Sequence, residues 1–251
     1  MSVIFENVSV GYRRHDVLKN ISFEAKSGEI TAIAGRNGAG KSTLLGALTG
    51  AKRELSGRII VDNHDLLSFS PNERARFVAP LGQSLPHPHV TVRELAEFGR
   101  TPHLPLGGRL SAEDRAAVER ALELAGVSDL AERFADSLSG GEHRRAFFAM
   151  TLAQDAPVLV LDEPTTHLDA AARFELIELI ERCRDDGRTV IVVLHELPEM
   201  LSCANKIVLL DGGSVAFCGH SEQFLAENID RKYFDVVVRG DREHGYSVTK
   251  A

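Results

Sequence analysis

The sequence predicts an α/β fold in which a parallel sheet forms the core, with an antiparallel β unit at the N-terminus and a helical insertion. Three patterns indicate this fold. Apolar residues alternate across residues 1–60 as they do in strands. Turn residues and helix caps dominate residues 71–135, and short apolar strands alternate with helices after that. Alternation of the last kind is typical of a parallel α/β core.

The N-terminal unit is expected to consist of hairpins. Val8 and Val10 lie on one face of a strand, and the same period returns at 21–25. A turn then leads into the apolar run 30–34, which we interpret as a buried strand, and a helix should follow at 41–50.

The insertion contains the next helices. Ser111 and Asp114 form a capping pattern for a helix that ends at Gly126, and an alanine-rich helix is expected near 142–153. From Pro71 onward we expect this part to be mostly helical.

Short strands return after the insertion. The apolar runs 158–161 and 190–194 predict buried strands, with a helix from 169 between them and two more strands around 207 and 215. We therefore expect a single domain with three parts. Residues 1–82 and 156–219 form the core, 83–155 the helical subdomain and 220–251 a C-terminal tail.

Composition excludes several classes of protein. A chain of 251 residues with 43% hydrophobic and 26% charged residues is ordinary for a globular protein. Its apolar runs are far shorter than the roughly 20 residues that cross a bilayer, and no secretory signal precedes them, so we expect a cytoplasmic protein. A formal net charge of −7 argues against broad nucleic-acid binding, which needs a basic face, but leaves a local basic patch open.

Two sets of potential metal ligands are expected to be bystanders. The cysteines, odd in number, are Cys183, Cys203 and Cys218. They have no metal-ligand spacing, so we expect neither a zinc site nor a disulfide framework. The histidines of the insertion include His87, His89 and His103. Their spacing is irregular, which favours exposed histidines in proline-rich loops over a metal site.

The segment 35–42 reads G-R-N-G-A-G-K-S and fits the phosphate-binding loop G-x-x-x-x-G-K-[ST]. A plain glycine-rich turn could match too, but the expected strand before it and helix after it favour the loop. Backbone N–H groups and the helix N-terminus would surround a phosphate, while Lys41 neutralises it and Ser42 offers a hydroxyl to Mg²⁺. The expected ATP-binding residues are Gly35, Asn37, Gly38, Ala39, Gly40, Lys41, Ser42 and Thr43.

Two carboxylates end the apolar run 158–161. Asp162 and Glu163 should lie at the carboxyl edge of the sheet beside the phosphate loop. Asp162 suits a place near Mg²⁺, and Glu163 could polarise the water that attacks the γ-phosphate. A strand that simply ends in acidic surface residues is the alternative for this pair taken alone.

The segment 138–142 reads L-S-G-G-E. Ser139 would cap the following helix, and Gly140 and Gly141 would expose N–H groups to a second anion, although a glycine-rich helix start has the same local pattern. This segment resembles the signature of the ATP-binding-cassette (ABC) family. The resemblance implies a RecA-like P-loop NTPase core and a homodimer in which Ser139, Gly140 and Gly141 grip ATP held by the partner subunit.

Other residues match the family in order. Tyr12 resembles the aromatic residue that stacks on adenine, although a lone tyrosine after a strand can also be plain packing. Gln83 resembles the glutamine that links Mg²⁺ and the attacking water to the helical insertion. Asp169 resembles the acidic member of the loop between subunits, and His195 the histidine that contacts the γ-phosphate. The resemblance therefore implies Glu163, Gln83 and His195 as catalytic residues, and Ser42, Gln83 and Asp162 near the metal.

Three positions depart from the family pattern. His143 stands where Gln or Arg is usual, Gly82 where proline is usual, and Glu196 where Asp is commoner. None of these changes removes a group that the reaction requires.

Further segments narrow the resemblance. They are 91–95, 99–103, 149–150, 153–155, 164–169, 224–225 and 233–235. Together they look like the ATPase subunits of importers for iron siderophores, haem and cobalamin. This implies ATP and Mg²⁺ as cofactors, two transmembrane permease subunits as partners, an extracytoplasmic substrate-binding protein acting indirectly, and a place at the cytoplasmic face of the membrane.

Three alternatives stay open. An ABC transporter with another cargo would carry the same motifs. A non-transport ABC ATPase acting on DNA or ribosomes would need a second cassette, a long coiled-coil insertion or a basic arm, which this sequence does not have. A small-molecule kinase would share the phosphate loop but would have no reason to carry L-S-G-G-E.

Overall fold

The computed structural model describes residues 1–12, 15–50, 54–105 and 107–251. Its strands are β1 Val3–Tyr12, β2 His15–Ala25, β3 Ile30–Ala34, β4 Glu54–Val61, β5 His64–Asp65, β6 Val78–Leu81, β7 Val158–Asp162, β8 Thr189–Val193, β9 Lys206–Asp211, β10 Ser214–Gly219, β11 Val236–Asp241 and β12 Gly245–Lys250. Its α-helices are α1 Lys41–Thr49, α2 Pro71–Arg74, α3 Val92–Phe98, α4 Ala112–Leu124, α5 Gly140–Ala153, α6 Ala170–Asp185, α7 Leu197–Cys203, α8 Ser221–Ala226 and α9 Ile229–Phe234.

The central sheet has the strand order β10-β9-β3-β8-β7-β6. Its inner pairs are parallel, and β10 is antiparallel to β9 at one edge. A second sheet, β2-β1-β4-β5, is antiparallel. The predicted α/β fold, with a parallel core and an antiparallel N-terminal unit, is therefore confirmed.

The central sheet separates two apolar cores. Along β7, Val158 and Val160 face the core that contains α1 and the antiparallel sheet, whereas Leu159 and Leu161 face the core of the helical insertion. This period of two is that of a strand buried on both faces. Because both faces are covered, the ends of the strands are where polar side chains can gather for chemistry.

The helical insertion packs α3, α4 and α5 together. Each of these helices begins with a capping box, and the box at Ser111 and Asp114 is the one that the sequence predicts. In the described ranges, no helix combines the length and the apolar character that a membrane crossing demands.

Two parts of the fold differ from the expectation or go beyond it. The mostly helical stretch expected from Pro71 contains the strand β6, so that expectation is wrong there. Its sequence, V-A-P-L, hides the strand because Pro80 cannot donate to a ladder, and such a proline is tolerated at a sheet edge. The tail forms the hairpin β11–β12, which packs on α7.

Candidate functional site

The phosphate loop lies between β3 and α1, as the motif requires. Gly35, Gly38 and Gly40 have φ angles of 147°, 83° and 98°, which are left-handed or otherwise strained for other residues. A Cβ atom on Gly35 would also lie 2.6 Å from the carbonyl oxygen of Leu210. The glycines are therefore needed for the loop to close over the start of α1.

Lys41 is folded back over this loop. Its Nζ donates to the carbonyl oxygens of Gly35 at 2.8 Å and Arg36 at 3.2 Å, and the residue is 7% exposed. Burial lowers the pKa of Lys41, while the charges of Glu163 and Asp162 raise it. The ammonium group thus lies where an incoming phosphate would meet it.

Asp162 ends β7 beside the loop. Burial raises the pKa of its carboxyl group, while a hydrogen bond from the Ser42 side chain lowers it. The Oδ1 atom is buried and has no hydrogen-bond partner among the described residues. A buried oxygen of this kind is ready to accept from a ligand.

Glu163 is held from two sides. Its Oε2 accepts from Gln83 Nε2 at 2.6 Å, and its Oε1 lies 2.6 Å from His195 Nε2. Its backbone N–H donates to the Val193 carbonyl oxygen at 3.2 Å, which ties it to the neighbouring strand β8. Gln83 and His195, which are far from Glu163 in sequence and are also expected to be catalytic, therefore both contact its carboxylate. Glu163 as a residue is only 9% exposed.

These groups share a first cleft of about 430 Å³. Its lining residues are Val17, Asn37, Gly38, Gly40, Lys41, Ser42, Thr43, Gln83, Glu163 and His195. The ammonium group of Lys41 and the backbone N–H groups of the loop glycines lie on one side of the cleft. The carboxylate of Glu163, with the Gln83 amide and the His195 imidazole that contact it, lies on the other. Such a cleft can bind a polyphosphate and present a base to its terminal group.

The L-S-G-G-E segment lies in a second cleft, of about 420 Å³, which shares no lining residue with the first. Ser139, Gly140 and Gly141 line it together with Asp169. Ser139 caps α5, and the Asp169 side chain caps α6 by accepting from Ala172 N at 2.9 Å. The predicted binding residues are thus divided between two surfaces of one chain.

Tyr12 and His143 are two residues that the sequence singled out outside the catalytic group. The side chain of Tyr12 lies outside the described part of the chain. His143, which departs from the family pattern, is buried: its Nε2 lies 3.0 Å from the Pro86 carbonyl oxygen, and its ring stacks on His87 at 4.3 Å between centroids. His143 therefore packs against the loop that follows Gln83.

The other two histidines of the insertion have local partners, and two of the cysteines are buried. His89 Nδ1 lies 2.8 Å from Asp136 Oδ2, and His103 Nε2 lies 2.9 Å from the Gln154 carbonyl oxygen. Burial raises the pKa of Cys183 to about 11 and that of Cys203 to about 12, which keeps both thiols protonated at neutral pH.

Sequence reasoning missed several residues around the site. Val17 lines the first cleft although it belongs to β2. Arg36 of the phosphate loop is ion-paired with Asp235 of the tail at 2.9 Å. Arg144 is buried near Gln83. The sequence could have revealed it, because Arg144 is a charged residue on the face of α5 that is otherwise mostly apolar and buried.

Comparison with known proteins adds independent findings. The sequence profile of the family described as ABC transporter matches residues 18–166. The ferric enterobactin transport ATP-binding protein FepC of Escherichia coli K12 is 38% identical over 231 residues, which are 91% of this chain and 85% of FepC. The petrobactin import ATP-binding protein FpuC of Bacillus anthracis is 36% identical over 223 residues, which are 88% of this chain and 82% of FpuC.

A solved structure extends the similarity to the fold. It is a chain from a transporter described as metal-chelate type ABC, in an inward-facing conformation. The TM-score is 0.84 at 25% identity, and the match covers 100% of this chain and 97% of the other.

Proposed function

This chain belongs to the ABC transporter family, and from that premise we propose that it is the ATP-hydrolysing subunit of an importer that takes up an iron–siderophore complex. The observation that carries the proposal is the meeting of Gln83, Glu163 and His195 beside the phosphate loop. The loop residues 35–43 hold the phosphates of ATP, and Glu163 polarises the attacking water. His195 contacts the γ-phosphate, and Gln83 links Glu163 to the helical insertion. If its side chain stacks on adenine, Tyr12 completes the nucleotide site.

The residues beside the loop fit Mg²⁺. This ion prefers hard oxygen ligands in a nearly octahedral arrangement that includes several waters. The buried, unpartnered Oδ1 of Asp162 and the hydroxyl of Ser42 are oxygens of this kind, and Gln83 lines the same cleft. When bound, the ion neutralises phosphate charge. Ser42 and Asp162 would hold it, directly or through water.

The division of the site into two clefts supports a homodimer. One copy carries the phosphate loop and Glu163 in the first cleft, and Ser139, Gly141 and Asp169 in the second. We propose that two copies associate head to tail, so that each second cleft closes over ATP in the first cleft of the partner. The positive end of α5, with its exposed N–H groups, favours the γ-phosphate.

A permease subunit fits an apolar groove beside Gln83. The groove encloses about 450 Å³, and Gly82, Pro86, Leu95, Phe98 and Met150 are among its lining residues. Phe98 is 54% exposed and adjoins the other apolar residues of the groove, and contiguous apolar surface of this kind is typical of an interaction site. We propose that one permease subunit docks here on each copy of the dimer, two in all, and that the chain therefore lies at the cytoplasmic face of the membrane.

The cargo is inferred from the relatives. Ferric enterobactin and petrobactin appear in the names of two similar ATP-binding proteins. We therefore favour an iron–siderophore complex over haem or cobalamin. A substrate-binding protein outside the membrane would deliver it, and no nucleic acid takes part.

Two measurements test the proposal. The purified chain should hydrolyse ATP in the presence of Mg²⁺ without an acceptor, which separates an ATPase from a kinase. In the source organism, deletion of the gene should abolish uptake of radioactive iron bound to a siderophore, and the wild-type chain should restore it. Unchanged uptake after deletion, with ATPase activity intact, would contradict the importer assignment for this cargo and leave the ATPase assignment standing.

A further inference from the structure

Side chains of α5 cover the free edge of β6. This strand pairs with β7 and ends the sheet, so every second carbonyl group of β6 faces away from β7. Gln154 Nε2 donates to the Val78 carbonyl oxygen at 2.9 Å. Thr151 Oγ1 lies 3.4 Å from the Pro80 carbonyl oxygen and shares its hydrogen with the Phe147 carbonyl oxygen at 3.1 Å. A helix thus supplies donors that a neighbouring strand would otherwise provide.

Arg144 extends this row of contacts to the residues after the strand. Its Nη1 donates to the carbonyl oxygens of Gly82 at 3.3 Å and Gln83 at 3.2 Å. The residue is 8% exposed. In the described ranges, the ion pairs of α5 involve Glu142 and Arg145, and none involves Arg144.

A buried guanidinium without a carboxylate partner is costly, and burial lowers the pKa of Arg144 accordingly. The two carbonyl oxygens therefore supply the hydrogen bonds that compensate for its lost hydration. Fixing both carbonyl groups restricts the backbone on either side of the Gln83 Cα atom. That restriction limits the directions in which the Gln83 amide can point.

We propose that Arg144 is a positioning residue for hydrolysis, which holds the backbone of Gln83 so that its amide meets Glu163. This inference rests on the proposed function, since it concerns the same site. Arg144 lies three residues after Gly141 on one helix, so α5 joins the L-S-G-G-E segment to the backbone of Gln83. His143 adds a second anchor on the same turn, through Pro86.

A double-mutant cycle tests the role. Arg144→Met removes the donors and keeps much of the side-chain length. It should lower kcat by about tenfold, as expected for coupled neighbours, with little change in KM for ATP. In a Gln83→Ala background the same substitution should change kcat by less than about twofold, because the group that Arg144 positions is already absent. Arg144→Lys should recover part of the loss, and it replaces the Met variant in the cycle if the latter does not fold.

Arg100→Lys is the matched control. Arg100 is also buried in the helical insertion, but it is paired with Asp114 and does not touch Gln83. Arg100→Lys should change kcat by the same factor in the wild-type and the Gln83→Ala backgrounds. An equal loss of kcat for Arg144→Met with and without Gln83, or no loss at all, would overturn the inference. An inactive wild-type chain would instead contradict the proposed function.

Discussion

Glu163 is constrained at its backbone as well as its side chain. Its φ angle is 52°, in the left-handed region that few residues other than glycine adopt. Residues in such conformations cost about 1–3 kcal/mol and persist where the surroundings fix them. Here the Val193 carbonyl group fixes the backbone, and Gln83 and His195 fix the carboxylate. Contacts within the chain itself therefore orient the carboxylate.

Glu163→Gln should abolish turnover and preserve ATP binding. The amide keeps the size of the side chain but loses the charge that polarises water, so kcat should fall by on the order of 100-fold or more. ATP should then hold the variant as a dimer in size-exclusion chromatography. Glu196→Gln, at an exposed carboxylate next to His195, is the control and should be nearly neutral. Wild-type turnover by Glu163→Gln would contradict the assignment.

At the scale of elements, the start of α4 depends on one carboxylate. Asp114 accepts from the Ser111 N–H at 2.9 Å, and it is ion-paired with Arg100 at 2.9 Å. The hydrogen bonds from Ser111 and the charge of Arg100 lower the pKa of Asp114 to about 2. Arg100 in turn donates to the Ala153 carbonyl oxygen, so this ion pair joins α4 to the end of α5.

Asp114→Asn should lower the free energy of unfolding by about 3 kcal/mol, because the charge of Arg100 loses its partner. The folded pKa lies below the ordinary value of 3.8, so the stabilisation is complete above 3.8 and is lost as pH falls from there through the folded value of about 2. Urea denaturation between about pH 5 and pH 3 should therefore show a steeper loss for the wild type than for the variant. Glu73→Gln, in the exposed capping box of α2, should have a much smaller effect. Equal pH slopes for wild type and Asp114→Asn would argue against this ion pair.

The elements that the sequence predicts well are those specified locally. The phosphate loop is set within eight residues by its glycines, and the strand β7 by a continuous apolar run. The hydrogen bond from Arg144 to Gly82 joins residues 62 apart, and no local pattern specifies it. β6 also lacks a local signal beyond its proline, since its partner strand β7 follows only after the whole helical insertion. The roles of the site residues themselves stay predictions.

At the scale of the whole molecule, one copy cannot complete the proposed site. Gly140→Asp tests this with little steric cost, because no atom lies within 4 Å of the Cβ position that it would add. An acidic residue in the first turn of α5 also favours the helix. The variant should bind ATP as a monomer, yet fail to dimerise or hydrolyse it, because its carboxylate repels the γ-phosphate held by the partner. Gly140→Asn is the uncharged control and should lose much less activity.

Mixing chains sharpens the test. When Gly140→Asp is combined with Lys41→Ala, one composite site of the mixed dimer carries both defects and the other carries neither. Recovery of hydrolysis in the mixture would establish that the two clefts act between chains. Full activity of Gly140→Asp alone would mean that the L-S-G-G-E segment is only a helix cap.

The cover that α5 places over β6 also bears on aggregation. An uncovered edge strand presents a row of backbone groups that can pair with a strand of another molecule. Pro80 removes one donor from this edge, and Thr151 occupies the carbonyl oxygen of the same residue. The helix α5, which begins at the L-S-G-G-E segment and contacts the backbone of Gln83, thereby also prevents further strands from adding to the sheet. A motion that lifted α5 away from β6 would expose an edge on which copies of the chain could polymerise.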